Sequence, residues 1–376
     1  MTKEKICCVF NYAPHYRKSI YSLIDSRFDC SFYFGDKLST STIKKIDYSV
    51  FSKYPVELKR KNLWGNFYLL SGFVRLSFHS SKIYLITGEY YCISSWIFLI
   101  LTKLMNKKVY LWGHGAYGNE GWLKRSLKRI YGCLSTGFLL YGDYAKEIMI
   151  NQGIPEKKLN VIYNSLDYSI QLSRRKVLPN SSVYKDYFKN DYPVLIFIGR
   201  LSKVKKLDMI ISAMQILYKD GFYVNAVIIG SGPEKDTLEQ QVFVSGLDSH
   251  IWFYGPCYDE EILGNLIFNA DLCVSPGNVG LTAIHSLGNG TPVITHGNKN
   301  NQMPEFEAIV DGVTGSFFEE NNVSSLSSAI YKWLNKYPSK SSEIVQQCYR
   351  VIDEKYNPFV QIKIIEELIK NESITN

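Results

Sequence analysis

Short apolar runs alternate with longer amphipathic stretches along most of this chain. Before residue 167 the runs predict strands at 6–10, 30–34, 83–86, 108–112, 138–141 and 161–163, with helices at 19–26, 93–105 and 143–152. After residue 193 the alternation restarts, with strands at 194–198, 224–229, 251–254 and 270–274 and helices at 207–218 and 259–269. Strands that alternate with helices form parallel sheets. The pattern therefore predicts an α/β protein with doubly wound sheets.

Two domains are expected, because 376 residues exceed what one hydrophobic core usually supports. The alternation lapses between Asp167 and Pro193 into a polar stretch that includes residues 179–182. We expect an N-terminal domain at 1–167, a linker at 168–192 and a C-terminal domain at 193–356, with a final helix at about 357–376 packing back on the first domain.

One stretch, 270–294, reads as a strand, a Gly-containing turn, a short helix and a second strand, which is a βαβ unit. Its turn at 276–280 ends a strand and opens onto a helix N-terminus. In an open α/β sheet ligands bind at that edge, where free N–H groups and the helix dipole favour a phosphate.

Three further loops follow strands of the same predicted sheet, at 199–206, 230–233 and 254–256, so all four loops are expected at one edge. Arg200 and Lys205 supply cations, and the other loops expose main-chain N–H groups, which together suit a diphosphate. Taken singly, Arg200 also fits a surface salt bridge, and Gly230 and Gly232 also fit an ordinary turn.

These motifs resemble the retaining glycosyltransferases of family 4, the glycosyl transferases group 1. The matching residues are Gly199–Arg200–Leu201 with Lys205, Gly230–Ser231–Gly232–Pro233, Phe253–Tyr254–Gly255, Ser275–Pro276, Gly280–Leu281, Gly290–Thr291–Pro292 and Asp311–Gly312–Val313–Thr314–Gly315. The resemblance covers the C-terminal domain almost fully and the N-terminal domain loosely. It implies the GT-B fold, two Rossmann-like domains that face each other across a deep cleft.

The resemblance also implies roles for individual residues. Catalytic roles fall to His114, Arg200 and Lys205, with the two cations neutralising the donor diphosphate. Acceptor-side roles fall to Tyr16 and Arg17. Donor-binding roles fall to Gly199, Gly230, Gly232, Tyr254, Pro256, Cys257, Asn278, Val279, Gly280, Leu281, Thr282, His285 and Glu307. His114 also fits an ordinary turn histidine.

The chain departs from the family pattern at its pair of glutamates, which lie eight positions apart. Gly277 and His285 occupy those two positions. Each nitrogen of a histidine makes one hydrogen bond, so the paired hydrogen bonds between a carboxylate and the two hydroxyls of a diol are lost. Asn278 is one substitute for a sugar hydroxyl contact, and Glu305 or Glu307 could bring a carboxylate to the same edge.

The charge of the chain is concentrated in its first half. Residues 1–170 hold 24 Lys and Arg against 12 Asp and Glu, and much of this charge lies near Trp and Tyr at 53–75 and 122–131. Such segments suit a surface that rests on anionic lipid headgroups, and they also fit an ordinary solvated face. Nucleic acid is not an expected partner, because no binding motif accompanies the charge.

The longest apolar run, 92–101, is about half the length of a membrane span, and the first residues lack the apolar segment of a signal peptide. Eight cysteines without regular spacing indicate reduced thiols. We therefore expect a cytoplasmic protein, with peripheral contact at the inner face of the membrane.

The resulting hypothesis is a hexosyltransferase that needs no metal or other cofactor. It transfers a sugar from a nucleotide-diphosphate sugar, with a UDP-sugar favoured over a GDP-sugar, to a hydroxyl of a glycan or lipid-linked acceptor in bacterial surface polysaccharide synthesis. The resemblance implies retention of the anomeric configuration. Two alternatives stay open: a nucleotide-sugar 2-epimerase of the same fold, and a non-catalytic sugar-nucleotide binding protein.

Overall fold

The computed structural model describes residues 3–38, 43–176 and 181–374, and these divide into two compact units. Unit 1 comprises residues up to Asp167 together with the segment from Asn357, and unit 2 comprises Tyr168–Tyr356. Both units are built on parallel sheets with helices on their faces. This agrees with the predicted α/β class.

Seven strands form the main sheet among the described residues of unit 1, in the order β3-β2-β1-β6-β7-β8-β9, and all their pairings are parallel. The strands of unit 1 are β1 Lys5–Phe10, β2 Asp29–Gly35, β3 Val56–Leu58, β4 Arg60–Asn62, β5 Tyr68–Leu70, β6 Ile83–Thr87, β7 Lys108–Gly113, β8 Gly137–Leu140 and β9 Leu159–Val161. β4 and β5 form a separate antiparallel hairpin.

The helices of unit 1 are α1 Lys18–Arg27, α2 Ile93–Leu104, α3 Trp122–Leu134, α4 Asp143–Asn151 and, at the end of the chain, α13 Pro358–Ile374. Cys7 and Cys8 lie on opposite faces of the sheet, each within a separate hydrophobic core. α13 packs against α1, and Gln361 on it accepts a hydrogen bond from Ser165 Oγ at 2.6 Å. The C-terminal segment is thus part of unit 1.

Six strands form the sheet in the described part of unit 2, in the order β12-β11-β10-β13-β14-β15, again all parallel. They are β10 Val194–Ile198, β11 Asn225–Ile229, β12 Ile251–Gly255, β13 Leu272–Ser275, β14 Val293–His296 and β15 Gly315–Phe318. β10 lies between two strands and is covered on both faces, which explains its uninterrupted apolar sequence.

The helices of unit 2 are α5 Tyr168–Arg175, α6 Val183–Phe188, α7 Asp208–Lys219, α8 Lys235–Ser245, α9 Glu260–Asn269, α10 Leu281–Gly288, α11 Val323–Lys336 and α12 Ser342–Glu354. α10 buries Ala283, Ile284 and Leu287 and ends before Asn289. It is the short helix predicted for the βαβ unit at 270–294.

Two expectations differ from the structure. The segment expected as a linker, 168–192, belongs to unit 2 and contains α5 and α6 among its described residues; its residues 177–180 lie outside the described part. The strand expected at 161–163 is β9, two residues earlier, because Tyr163 has φ of 57° and leaves the extended conformation.

Candidate functional site

The carboxyl edge of the unit 2 sheet brings the four expected loops together. Gly230 N–H donates to Gly255 O at 2.9 Å, and Leu201 N–H donates to Ser231 O at 3.0 Å. Gly277 N–H in turn donates to Lys205 O at 3.0 Å. The loops that follow β10, β11, β12 and β13 therefore form one hydrogen-bonded surface, as the sequence predicts.

Two glycines allow this close packing. A Cβ on Gly230 would lie 1.8 Å from Gly199 O, and φ at Gly230 is +146°. A Cβ on Gly277 would lie 2.0 Å from Val204 O. Position 277, where the resemblance would place a glutamate of the family pattern, thus has no room for any side chain in this arrangement.

The N-terminus of α10 lies on the same surface. Gly280 is its N-cap residue, with φ of 55° and ψ of −149°, and no side chain caps the helix. The first turn, which begins with Leu281, therefore presents main-chain N–H groups and the positive end of the helix dipole. An anion is the natural ligand for such a terminus.

Val279 does not contribute to that surface as expected. It is fully buried, and its N–H donates to Gln302 Oε1 at 2.9 Å. Gln302 Nε2 donates to Thr295 Oγ1 at 2.8 Å and to His296 O at 2.9 Å. The expectation that Val279 N–H contacts the donor is therefore wrong, because this N–H is already bound within the protein. Gln302 is a positioning residue that the sequence analysis missed.

The two expected cations differ in their surroundings. Arg200 is exposed, and the described residues offer it no ion pair. Lys205 is half-buried, and its Nζ donates to Asn278 O at 2.5 Å and to Asn278 Oδ1 at 2.9 Å. Burial lowers the pKa of Lys205 to about 8, an effect that the negative charge of Glu305 partly offsets.

Two further donor-site predictions have structural contacts instead. Thr282 Oγ1 donates to Ile198 O at 2.9 Å, which ties α10 to the end of β10. His285 Nε2 lies 3.3 Å from Glu260 Oε2 without an aligned hydrogen bond, and Arg174 Nη1 donates to the same oxygen at 3.2 Å. Burial raises the pKa of Glu260, but His285 and Arg174 outweigh that effect and hold it at about 2.

The remaining donor-side predictions lie at the rim of this edge. Tyr254, at the end of β12, packs its ring 5.0 Å from that of Trp252, and Pro256 and Cys257 follow in the exposed loop. Glu307 lies in the short 3-10 turn Pro304–Ala308, which packs against α10, and is partly buried.

Unit 1 contains a cavity of about 310 Å³ at the carboxyl ends of β1, β6 and β7. His114 lines it, directly after β7, and its ring stacks 5.7 Å from that of Tyr117. Burial, together with the charges of Arg17 and Lys128, lowers the pKa of His114 to about 4, so the imidazole is neutral near pH 7. Its Nδ1 is buried and has no hydrogen-bond partner among the described residues.

The loop after His114 is tied down by Glu120, which is buried. Its carboxylate accepts hydrogen bonds from Tyr117 N–H at 2.9 Å, Gly118 N–H at 3.0 Å and Lys128 Nζ at 2.7 Å. Burial raises the pKa of Glu120, but the hydrogen bonds from Lys128 and from two main-chain N–H groups together have the larger effect. The pKa of Glu120 is therefore below its ordinary value. His114 is therefore held by an ordered loop.

Tyr16 and Arg17 line the same cavity. The Arg17 guanidinium lies over the rings of Trp112 and Tyr141, 5.4 Å and 5.2 Å from their centroids, and donates to Tyr141 Oη. The structure thus brings His114, Tyr16 and Arg17 together.

A carboxylate in this cavity was missed by the sequence analysis. Glu89, just after β6, accepts hydrogen bonds from Asn11 Nδ2 and Tyr68 Oη, both at 2.6 Å. Burial raises its pKa, and the hydrogen bonds from Tyr68, Tyr91 and Asn11 oppose that rise. Its position directly after a predicted strand could have indicated a site residue. The residues that bind its carboxylate, however, are distant in the sequence and leave no local pattern.

The two basic segments have different surroundings. In 53–75, Lys53 pairs with Asp29 and Arg60 is buried against the Tyr68 ring at 3.6 Å, although Trp64 is exposed. In 122–131, the start of α3 exposes 77% of Trp122 and 58% of Leu123 beside exposed basic residues. The neighbouring helix α2 exposes Ile97, Ile100 and Leu104 along one side, and Met105 directly after it is also exposed.

Within the described residues, no helix is both long enough and apolar enough to cross a membrane. The same part of the chain contains no group of three or more His, Cys, Asp or Glu side chains arranged to hold a metal ion. The expected independence of metal and the expected location stay predictions.

Comparison with known proteins finds similarity mainly in unit 2. Residues 184–350 match the family model described as Glycosyl transferases group 1. An uncharacterised glycosyltransferase of Methanocaldococcus jannaschii is 28% identical over 211 residues, covering 54% of this chain and 51% of that protein. A GDP-mannose-dependent alpha-(1-6)-phosphatidylinositol dimannoside mannosyltransferase of Mycobacterium tuberculosis is 34% identical over 104 residues, 27% of this chain and 26% of that protein.

The matches span about half or less of the length of these two relatives. Among solved structures, the HepE protein of Anabaena in complex with UDP superposes with a TM-score of 0.70 at 15% identity, covering 97% of this chain and 100% of that one. This likeness shows the fold, which is the expected pair of parallel-sheet α/β domains of the GT-B class.

Proposed function

We propose that this chain, in which residues 184–350 match the glycosyl transferases group 1, is a glycosyltransferase. Unit 2 binds a nucleotide-diphosphate sugar, and unit 1 binds the acceptor whose hydroxyl receives the sugar. The observation that carries the proposal is the convergence of Arg200, Lys205 and the α10 N-terminus at one edge of the unit 2 sheet. Two cations and a helix N-terminus together match a diphosphate.

The donor is a UDP-sugar or a GDP-sugar, with UDP favoured. A solved structure of the same fold is a complex with UDP, and the mycobacterial relative is named for its use of GDP-mannose. The nucleotide base is expected near Tyr254, Pro256 and Cys257, and Asn278 is expected to contact the donor sugar.

The chemistry follows from where charge develops. As the bond between sugar and phosphate breaks, negative charge grows on the departing diphosphate, and Arg200 and Lys205 stabilise it. Two of the three N–H donors of Lys205 bind Asn278, which leaves the third for a phosphate oxygen. From the resemblance to the retaining family, we propose that the departing phosphate takes the proton of the incoming hydroxyl and that the anomeric configuration is retained. No step requires a metal ion or a cofactor.

The acceptor belongs in the cavity of unit 1. Neutral His114 and the carboxylate of Glu89 offer hydrogen bonds to hydroxyl groups, and Tyr16 and Arg17 line the wall. Tyr and Trp rings suit the apolar faces of a sugar. We propose that this acceptor is a glycan or a lipid-linked saccharide of bacterial surface polysaccharide synthesis.

The exposed apolar and basic surface of α2 and α3 supports contact with a membrane. We propose that Trp122 and Leu123 insert at the headgroup level, while Lys124, Arg125 and Arg129 attract anionic lipids. The cytoplasmic leaflet is the surface that such a basic patch fits.

The test is a transfer assay with the full chain. Panels of UDP- and GDP-sugars are incubated with glycan and lipid-linked acceptors, and products are identified by mass spectrometry and by the NMR coupling of the new anomeric proton. Transfer to an acceptor with the donor's configuration is expected. Donor conversion without an acceptor would instead identify an epimerase, and nucleotide binding without any product would identify a binding protein.

A further inference from the structure

Arg17 is the starting point, because its charge has no acidic partner in the cavity of unit 1. The guanidinium donates to the neutral Tyr141 hydroxyl and lies over two aromatic rings. Across the described ranges 3–38, 43–176 and 181–374, no carboxylate forms an ion pair with it. Holding an unpaired cation in a half-buried site costs free energy, which an anionic ligand would recover.

Glu89, the acidic residue in the cavity wall, is engaged elsewhere. It accepts hydrogen bonds from Asn11 and Tyr68, and the Tyr68 ring carries the Arg60 guanidinium 3.6 Å from its centroid. The charge of Arg60 also lowers the pKa of Glu89, against the larger effect of burial. The positive charge of Arg60 therefore compensates the negative charge of Glu89, and the positive charge of Arg17 stays uncompensated.

Of the two other cations that line the cavity, one is paired with a carboxylate and one is not. Lys128 is held by Glu120 at 2.7 Å, so its charge is neutralised. Lys124 lines the cavity, is exposed and has no ion pair within the described residues. The uncompensated charge of the cavity is thus positive and comes from Arg17 and Lys124.

Aromatic residues form much of the rest of the wall, including Tyr12, Tyr90, Tyr117 and Trp112. Their faces suit the C–H faces of a sugar ring, and the carboxylate of Glu89 has lone pairs left for a sugar hydroxyl. An anion next to a sugar would therefore match both parts of the cavity.

We propose that the cavity of unit 1 binds a saccharide that carries a phosphate ester, with Arg17 holding the phosphate. This inference rests on the proposed function and names the chemical class of its acceptor. Arg forms paired hydrogen bonds with phosphate oxygens, which a neutral side chain cannot replace. The phosphate can belong to a soluble sugar phosphate or to a lipid-linked one. Lys124 lies on α3, the helix that exposes Trp122, so the cavity opens beside the surface proposed to contact lipid.

The test compares charged and neutral ligands of the same sugar. The full chain, kept in excess UDP so that the donor site is filled, is titrated with the 1-phosphates of glucose, galactose, mannose and N-acetylglucosamine and with their methyl glycosides. At least one 1-phosphate is expected to bind at least about tenfold more tightly than its methyl glycoside. Equal binding of the two forms would overturn the inference even before any variant is made.

Variants locate the effect. Arg17→Gln is expected to remove the preference for the phosphate, whereas Arg27→Gln, at the exposed end of α1, retains it. An unchanged preference in Arg17→Gln contradicts the assignment. Failure of UDP to bind at all would count against the proposed function, since it concerns unit 2 and not Arg17.

A second arm separates the two sources of phosphate. The same sugar phosphate is presented as a soluble ester and as a lipid-linked ester in phosphatidylcholine vesicles. Binding of the soluble ester supports recognition of the phosphate itself, and binding only in vesicles supports a lipid-linked acceptor. Binding of neither overturns the proposal.

Discussion

Lys205 donates hydrogen bonds to both carbonyl oxygens of Asn278, the main-chain oxygen at 2.5 Å and the side-chain oxygen at 2.9 Å. This pair joins the loop after β10 to the loop after β13. It holds an ammonium group next to the α10 N-terminus, where the donor diphosphate is proposed to bind.

The pH dependence of donor use follows from that pair. Since the pKa of Lys205 lies at about 8, below its ordinary value, the ammonium group is charged below pH 8 and becomes neutral above it. We expect kcat/KM for the donor to fall above about pH 8, approaching tenfold per pH unit, because this parameter reports the free enzyme.

Lys205→Arg provides the matched comparison, because its side chain stays charged at all accessible pH values. The variant has a lower maximal rate but no decline between pH 8 and pH 9.5. A decline at the same pH in both proteins would exclude Lys205 as its origin.

Gly277 is predicted to resist substitution. Gly277→Ala places a Cβ 2.0 Å from Val204 O, so we expect a loss of about 1–3 kcal/mol in the free energy of unfolding and weaker donor binding. Gly121→Ala, where no atom lies within 4 Å of the new Cβ, serves as the control in thermal unfolding. Equal melting temperatures for the two variants would show that the loops can separate.

Much of this architecture is readable from the sequence. Buried parallel strands are continuous apolar runs, so β1, β2, β6, β7, β10, β11 and β12 were predicted nearly in place, and Gly-rich turns after them marked the unit 2 edge. The short strands β3, β4, β5 and β15 were missed, because runs of three or four residues carry little periodicity.

The contacts inside the two sites were not readable in this way. Gln302 reaches Val279 across 23 positions, and Tyr68 reaches Glu89 across 21, so neither pair leaves a local pattern. The contact of His285 with Glu260 likewise depends on how α9 packs beside α10. Sequence could identify the edge and its charges, but not which main-chain groups were already occupied.

Gln302 is predicted to hold the loop at the α10 N-terminus. Gln302→Leu leaves Val279 N–H, Thr295 Oγ1 and His296 O without this buried partner, so we expect a loss of about 1–3 kcal/mol of stability and weaker donor binding. Gln240→Leu, on the exposed side of α8, is the control. Chemical denaturation measures the first effect, and unchanged stability would contradict the role given to Gln302.

Membrane contact is predicted to depend on α3. The chain is expected to sediment with phosphatidylglycerol vesicles at low salt and to be released at high salt, since exposed charges are screened. Replacing Trp122 and Leu123 by Ser is expected to abolish binding. The corresponding change at Phe243 and Val244, exposed apolar residues of unit 2, is expected to have no effect. No sedimentation of the unaltered chain at low salt would refute membrane contact.

The central claim is that the carboxyl edge of the unit 2 sheet binds the diphosphate of a nucleotide sugar. Titration calorimetry with UDP and GDP tests it most directly, on the unaltered chain, on Arg200→Ala and on Lys219→Ala at the far end of α7. We predict that at least one nucleotide binds, that Arg200→Ala weakens its binding about 10- to 100-fold, and that Lys219→Ala does not change it. Absence of binding by either nucleotide, or equal affinity in Arg200→Ala and the unaltered chain, would contradict the account.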